Sequence, residues 1–163
     1  MTLRRDRPYW LLVAGCFAWL GLVFFTAYAR ARGVSGSDLV HACFGSICHQ
    51  IPERSFHLFG VALPVCHRCL GLYTGLTVGL LALPSLPWLR HWLLETPRRV
   101  LFFFLPMAID VFLIPNTYLT RYLTGFIAAF PVALLMWAAV NQLFHRSTYP
   151  SQGGEQYDQR FTG

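Results

Sequence analysis

Twenty consecutive residues, Tyr9 to Tyr28, carry no charge. As a helix rising 1.5 Å per residue, such a run spans about 30 Å, the thickness of bilayer hydrocarbon. Arg4, Arg5 and Arg7 precede it and Ala27-Tyr28-Ala29 resembles a signal-peptide cleavage site. A signal core is only about 7–15 residues long, so the length predicts a retained anchor. The rest of the chain agrees. Hydrophobic residues make up 55% of the 163 and charged residues 12%, where a soluble domain has about 25% charged.

Three further apolar runs follow, giving four expected spans at about 9–28, 64–83, 100–114 and 122–144. The predicted fold is all-α: a polytopic, four-helix membrane bundle forming one domain over 1–144, with a polar, disordered tail at 145–163. Pro64 suits the first position of the second helix. Gly71, Gly75 and Gly79 recur every four residues in that helix. They form a small-xxx-small face that packs inside the monomer or offers a partner-helix surface. Between the first two spans, the polar stretch from Arg30 holds Leu39, Val40, Cys43, Phe44 and Ile47 at helical spacing. This predicts a short surface helix capped by Ser37 and ended by Pro52.

The net charge of +6 is all arginine, because the sequence has no lysine. The arginines flank apolar runs singly or in pairs and form no basic stripe. They therefore read as topology and lipid-headgroup signals, and nucleic-acid binding is not expected. With the N-terminus inside, Arg4, Arg5, Arg7, Arg90, Arg98, Arg99, Arg146 and Arg160 are cytoplasmic. Arg30, Arg32, Arg54, Arg68 and Arg121 are then outside. That balance places both termini in the cytoplasm, the protein in the plasma or inner membrane, and the loop at 30–69 outside.

That loop carries the chemistry. Cys43, Cys48-His49 and Cys66-His67-Arg68-Cys69 place four of the five cysteines in one short region, while Cys16 lies in the first apolar run. Two cysteine pairs about 15–20 residues apart are the spacing of a zinc-type site, where four soft ligands converge tetrahedrally. The candidate ligands are Cys43, Cys48, His49, Cys66 and Cys69, with Cys66 and Cys69 expected on the first turn of the second span. There the helix amides favour thiolate. Cys43 and Cys48 cannot face the same way on an unbroken helix. Either Gly45 ends that helix or only Cys48 and His49 bind from the segment. The same CxxC also suits thiol–disulfide exchange, with Cys66/Cys69 and Cys43/Cys48 as two shuttling pairs coupled to a quinone. Structural disulfides are the third possibility.

Asp110 is a lone carboxylate in an apolar span and needs a partner. Arg121 is the expected one, with Arg54 and Arg68 competing. Asp110, Asn116, Arg121, Arg54 and Arg68 would line a polar pocket beside the cysteines, which a small transporter or lipid-binding accessory protein could also use. No Ser-His-Asp arrangement, phosphate loop or HExxH motif is present.

Cys48-His49-Gln50, Pro52-Glu53-Arg54-Ser55-Phe56, Gly60, Pro64-Val65-Cys66, Arg68-Cys69, Gly71, Tyr73 and Gly75 together resemble a family of small prokaryotic membrane proteins, domain of unknown function 2085. Pro106, Asp110, Arg121, Thr124 and Gly125 extend the likeness more weakly. Val111 departs from it, because the family pattern has Gly after the aspartate. The resemblance implies a membrane fold and leaves the activity open.

Overall fold

A computed structural model of the chain describes residues 7–82, 85–112 and 117–148. In chain order its elements are α1 (Arg7–Ala31), α2 (Ser37–Phe44), β1 (Ser55–Leu58), β2 (Val61–Cys66), α3 (His67–Ala82), α4 (Pro87–Glu95), α5 (Val100–Phe112) and α6 (Tyr118–Thr148). Of the disordered tail expected at 145–163, His145–Thr148 instead continue α6, while 149–163 and Asn116 lie outside the described residues.

The apolar runs became helices, and the second starts later than expected. Among the described residues, two helices are long and apolar enough to cross a membrane, Arg7–Ala31 and Tyr118–Val140. α3 has 16 residues and is followed by α4 after a bend of 108°. α5 has 13 residues, about 20 Å of helix. Apolar side chains point outward rather than in: only 22% of the most apolar window of α1 is buried. Leu11, Phe25, Leu101, Phe102 and Phe112 are all exposed, the inverse of a water-soluble helix and suited to lipid contact.

The all-α expectation fails at 55–66. β1 and β2 form a two-stranded antiparallel hairpin pairing Leu58 with Val61, His57 with Ala62 and Ser55 with Cys66. The two turn residues, Phe59 and Gly60, have φ of 55° and 79°. Positive φ at both positions matches the right-handed twist of paired strands. Pro64 therefore lies in a strand, at the irregularity between the Ser55 and His57 pairs, where its missing N–H costs no ladder bond. The second helix starts three residues later than Pro64 suggested.

Two other ends differ from expectation. Gly36, at φ 85°, occupies the N-cap of α2, and Ser37 is its first helical residue. α6 begins at Tyr118 because the Thr117 hydroxyl accepts the Thr120 amide at 3.2 Å, while the Thr117 amide donates to the Thr120 hydroxyl at 3.1 Å. Each side chain satisfies the other's free amide, as in a capping box.

The glycine face packs within the chain. α3 and α6 run parallel, and Gly71, Gly75 and Gly79 meet successive turns of α6 at Tyr122, Phe126 and Phe130. Gly125 of α6 returns the contact against the Arg68 carbonyl. A side chain at Gly75 would collide with the Phe126 backbone, which cannot move aside as a side chain could. Gly75→Leu is therefore expected to cost about 3 kcal/mol or more, read as a lowered midpoint in detergent thermal melts. An unchanged midpoint would mean that the two helices are not in this contact.

α1 runs antiparallel to α3. The Tyr9 hydroxyl donates to the Leu80 carbonyl at 2.9 Å, and the Trp19 ring meets Tyr73. The core divides into two clusters along this axis. Tyr9, Leu80, Leu93, Val100 and Trp137 fill one end. Val23, Ala27, Phe44, Cys48, Leu63, Val65 and Leu70 fill the other, so the hairpin and α2 dock on the bundle where the cysteines are.

Candidate metal centre

Cys48, Cys66 and Cys69 reach one point from three different elements. α2 stops at Phe44 with Gly45 as its C-cap, and the chain turns so that Cys48 enters the core. Gln50, at φ 50°, fixes this return. Its side-chain amide donates to the carbonyls of His41 and Pro64, tying the end of α2 to β2. Cys66 is the last residue of β2 and Cys69 the third of α3. The expectation that both lie within the helix is thus corrected, because β2 takes the residues up to Cys66.

The three Sγ atoms lie within 4.8 Å of one another. Tetrahedral thiolate ligands about 2.3 Å from zinc stand about 3.8 Å apart, so a small movement suffices to close them on an ion. The surroundings favour Cys66 as the thiolate of the group. The Cys66 amide donates to Cys48 Sγ at 3.2 Å. Cys66 itself sits at the N-cap position of α3. Its thiol is pulled down to about 4, first by the Cys69 thiol hydrogen-bonding to it, then by the Cys69 amide, the Cys48 thiol and the Arg68 amide, with burial opposing. Free amides at a helix start accept an anion there.

All five cysteines are free, and Cys43 is exposed. It does not belong to the sulfur group, because Gly45 ends α2 between it and Cys48. His49 is exposed but lines the same cavity as the three cysteines. That cavity, of about 490 Å³, also has Arg54, Arg68 and Arg121 in its wall.

Asp110 is 1% exposed, and its Oδ2 accepts from the Arg68 guanidinium at 2.6 Å. The expected partner, Arg121, lines the cavity instead. The reason is tertiary. Gly125 lets the first turn of α3 press against α6, and from there Arg68 reaches across to α5. Asp110 borders a separate apolar groove between α5 and α6 with Thr120 and Thr124. Arg68 thus stands between that groove and the cysteine cavity. Sequence reasoning missed Gln50 as a clamp, although the Cys-His-Gln triplet was visible.

Over residues 48–135, more than half of the chain, the sequence matches the family described as "Predicted membrane protein (DUF2085)". The chain belongs to this family. The matched segment begins at Cys48, includes Cys66, Cys69, the three cavity arginines and Asp110, and leaves out Cys16 and Cys43. An uncharacterised protein of Methanocaldococcus jannaschii is 33% identical over 138 residues, covering 77% of this chain and 88% of that protein. An uncharacterised protein of Methanothermobacter thermautotrophicus is 53% identical over 32 residues, 20% of this chain and 29% of its own. No solved structure matches.

Proposed function

We propose that this family member is a four-span membrane protein. In this reading Cys48, Cys66 and Cys69 would together hold a zinc-type metal on the outer face, leaving one coordination position for another ligand. The observation that carries this reading is the convergence of three sulfurs from three elements, one of them already accepting a backbone amide. Three protein ligands plus one open position is the plan of a site that binds water or a ligand, whereas purely structural zinc has four protein ligands. His49 lines the same cavity but is not among the converging ligand atoms.

The second reading is thiol–disulfide exchange at Cys66/Cys69, whose oxidation would pass two electrons and two protons to a quinone. The proximity of Cys66 to Cys69 at a helix start supports it. It lacks a shuttle pair, since Cys43 is apart from Cys48.

Two measurements test the proposal together. Metal analysis of protein purified in detergent should give about one equivalent of zinc or a similar soft-ligand metal. Cys16→Ser and Cys43→Ser should keep it. Reporter fusions should place His57 outside and Arg98 and Gln156 inside, as arginine counts predict. A reporter putting His57 and Gln156 on one side would rule out four spans.

A further inference from the structure

The cysteine cavity has a charge pattern that the metal alone does not use. Arg54 and Arg121 line it, and neither makes an ion pair among the described residues. Arg68 lines it too, but is matched by Asp110. Arg68 and Asp110 cancel, and Arg54 and Arg121 contribute two positive charges. The cavity therefore carries two arginines that no carboxylate balances among the described residues. Its volume, about 490 Å³, is within the range of small-ligand sites.

We propose that this cavity binds a phosphate-bearing anion between Arg54 and Arg121, against the open position of the metal. Arginine presents a planar fork of donors that matches phosphate oxygens two at a time. The two arginines come from different elements of the cavity wall. Arg54 lies at the start of the hairpin and Arg121 on the first turn of α6. A ligand held by both would clamp the hairpin to the bundle. The phosphate is either free in solution or part of an anionic lipid headgroup. The position beside the metal rests on the three-cysteine reading, but the arginine pair binds phosphate in its own right.

The test uses full-length protein in nanodiscs of neutral phosphatidylcholine, with metal content measured on the same samples. Inorganic phosphate titrated by calorimetry should bind saturably. Arg54→Gln and Arg121→Gln should each weaken it tenfold or more while the metal stays. Arg30→Gln, which removes a surface pair with Asp38, should leave it unchanged. Nanodiscs containing phosphatidylglycerol separate the two sources. Competition with phosphate identifies a lipid headgroup, and undiminished binding identifies a free anion. No phosphate binding together with no competition, or binding indifferent to both arginine changes, would overturn the proposal. Metal-free protein that still binds phosphate through Arg54 and Arg121 would refute the metal reading while leaving the anion site standing.

Discussion

Cys66→Ser should strip the metal and lower stability in one step, to less than a tenth of wild-type metal retention. Cys66 is the residue at which the hairpin becomes α3. Its sulfur is bound to the Cys69 thiol and to the first amides of that helix. Serine keeps an acceptor for those amides, so the helix start survives. It does not supply a soft anionic ligand, because a hydroxyl stays protonated where a thiol ionises. A metal that binds only the folded state stabilises it by mass action, about 3 kcal/mol when free metal is a hundredfold above its dissociation constant. The loss should therefore appear twice, in metal content and in the thermal midpoint, and chelating wild-type protein should lower its midpoint to match the variant. A variant that keeps its metal would place the site elsewhere.

Removing one side of the Asp110–Arg68 pair should be nearly as damaging. Asp110 is almost wholly buried, and the side chain of Arg68 is about a quarter exposed. Losing one partner removes the ion pair from the other charge near lipid, at a cost of about 3–5 kcal/mol. Asp110→Asn and Arg68→Met should each lower the detergent melting midpoint sharply. The double change, Asp110→Leu with Arg68→Met, should recover part of the loss, because no charge is then stranded. Arg121→Gln should have little effect on the melt, since Arg121 faces the cavity and not the carboxylate. Strictly additive single and double changes would show that the two groups do not pair.

The position of these residues explains how much of the molecule could be read from sequence. Long uncharged runs declare themselves, so α1 and α6 were legible to within a few residues, and Gly71, Gly75 and Gly79 announced a close helix contact. The hairpin did not. Its turn is Phe59-Gly60, without the Asn-Gly or Asp-Gly signature of such turns. β1 is four residues long, too short for alternation to stand out. Pro64 fits a helix start as well as an interrupted strand, and only the pairing of Ser55 with Cys66 decides between them.

The candidate site was legible in the same partial way. The Cys-His-Gln and Cys-x-x-Cys elements mark the sulfurs, but a spacing of five residues between Cys43 and Cys48 cannot say which one turns inward. Gly45 supplies the answer by ending α2 between them. Which arginine meets Asp110 is likewise a tertiary fact. Arg121 is nearer in sequence, and Arg68 is nearer in space because α3 and α6 touch at glycines.

The central claim, that Cys48, Cys66 and Cys69 hold a metal as thiolates, is tested most directly by alkylating native protein and counting modified cysteines by mass spectrometry with metal content. The expected result is one bound metal and rapid modification of Cys43, with Cys48, Cys66 and Cys69 protected until a chelator is added. The contradicting result is metal-free protein in which Cys66 and Cys69 form a disulfide that cycles with added quinone.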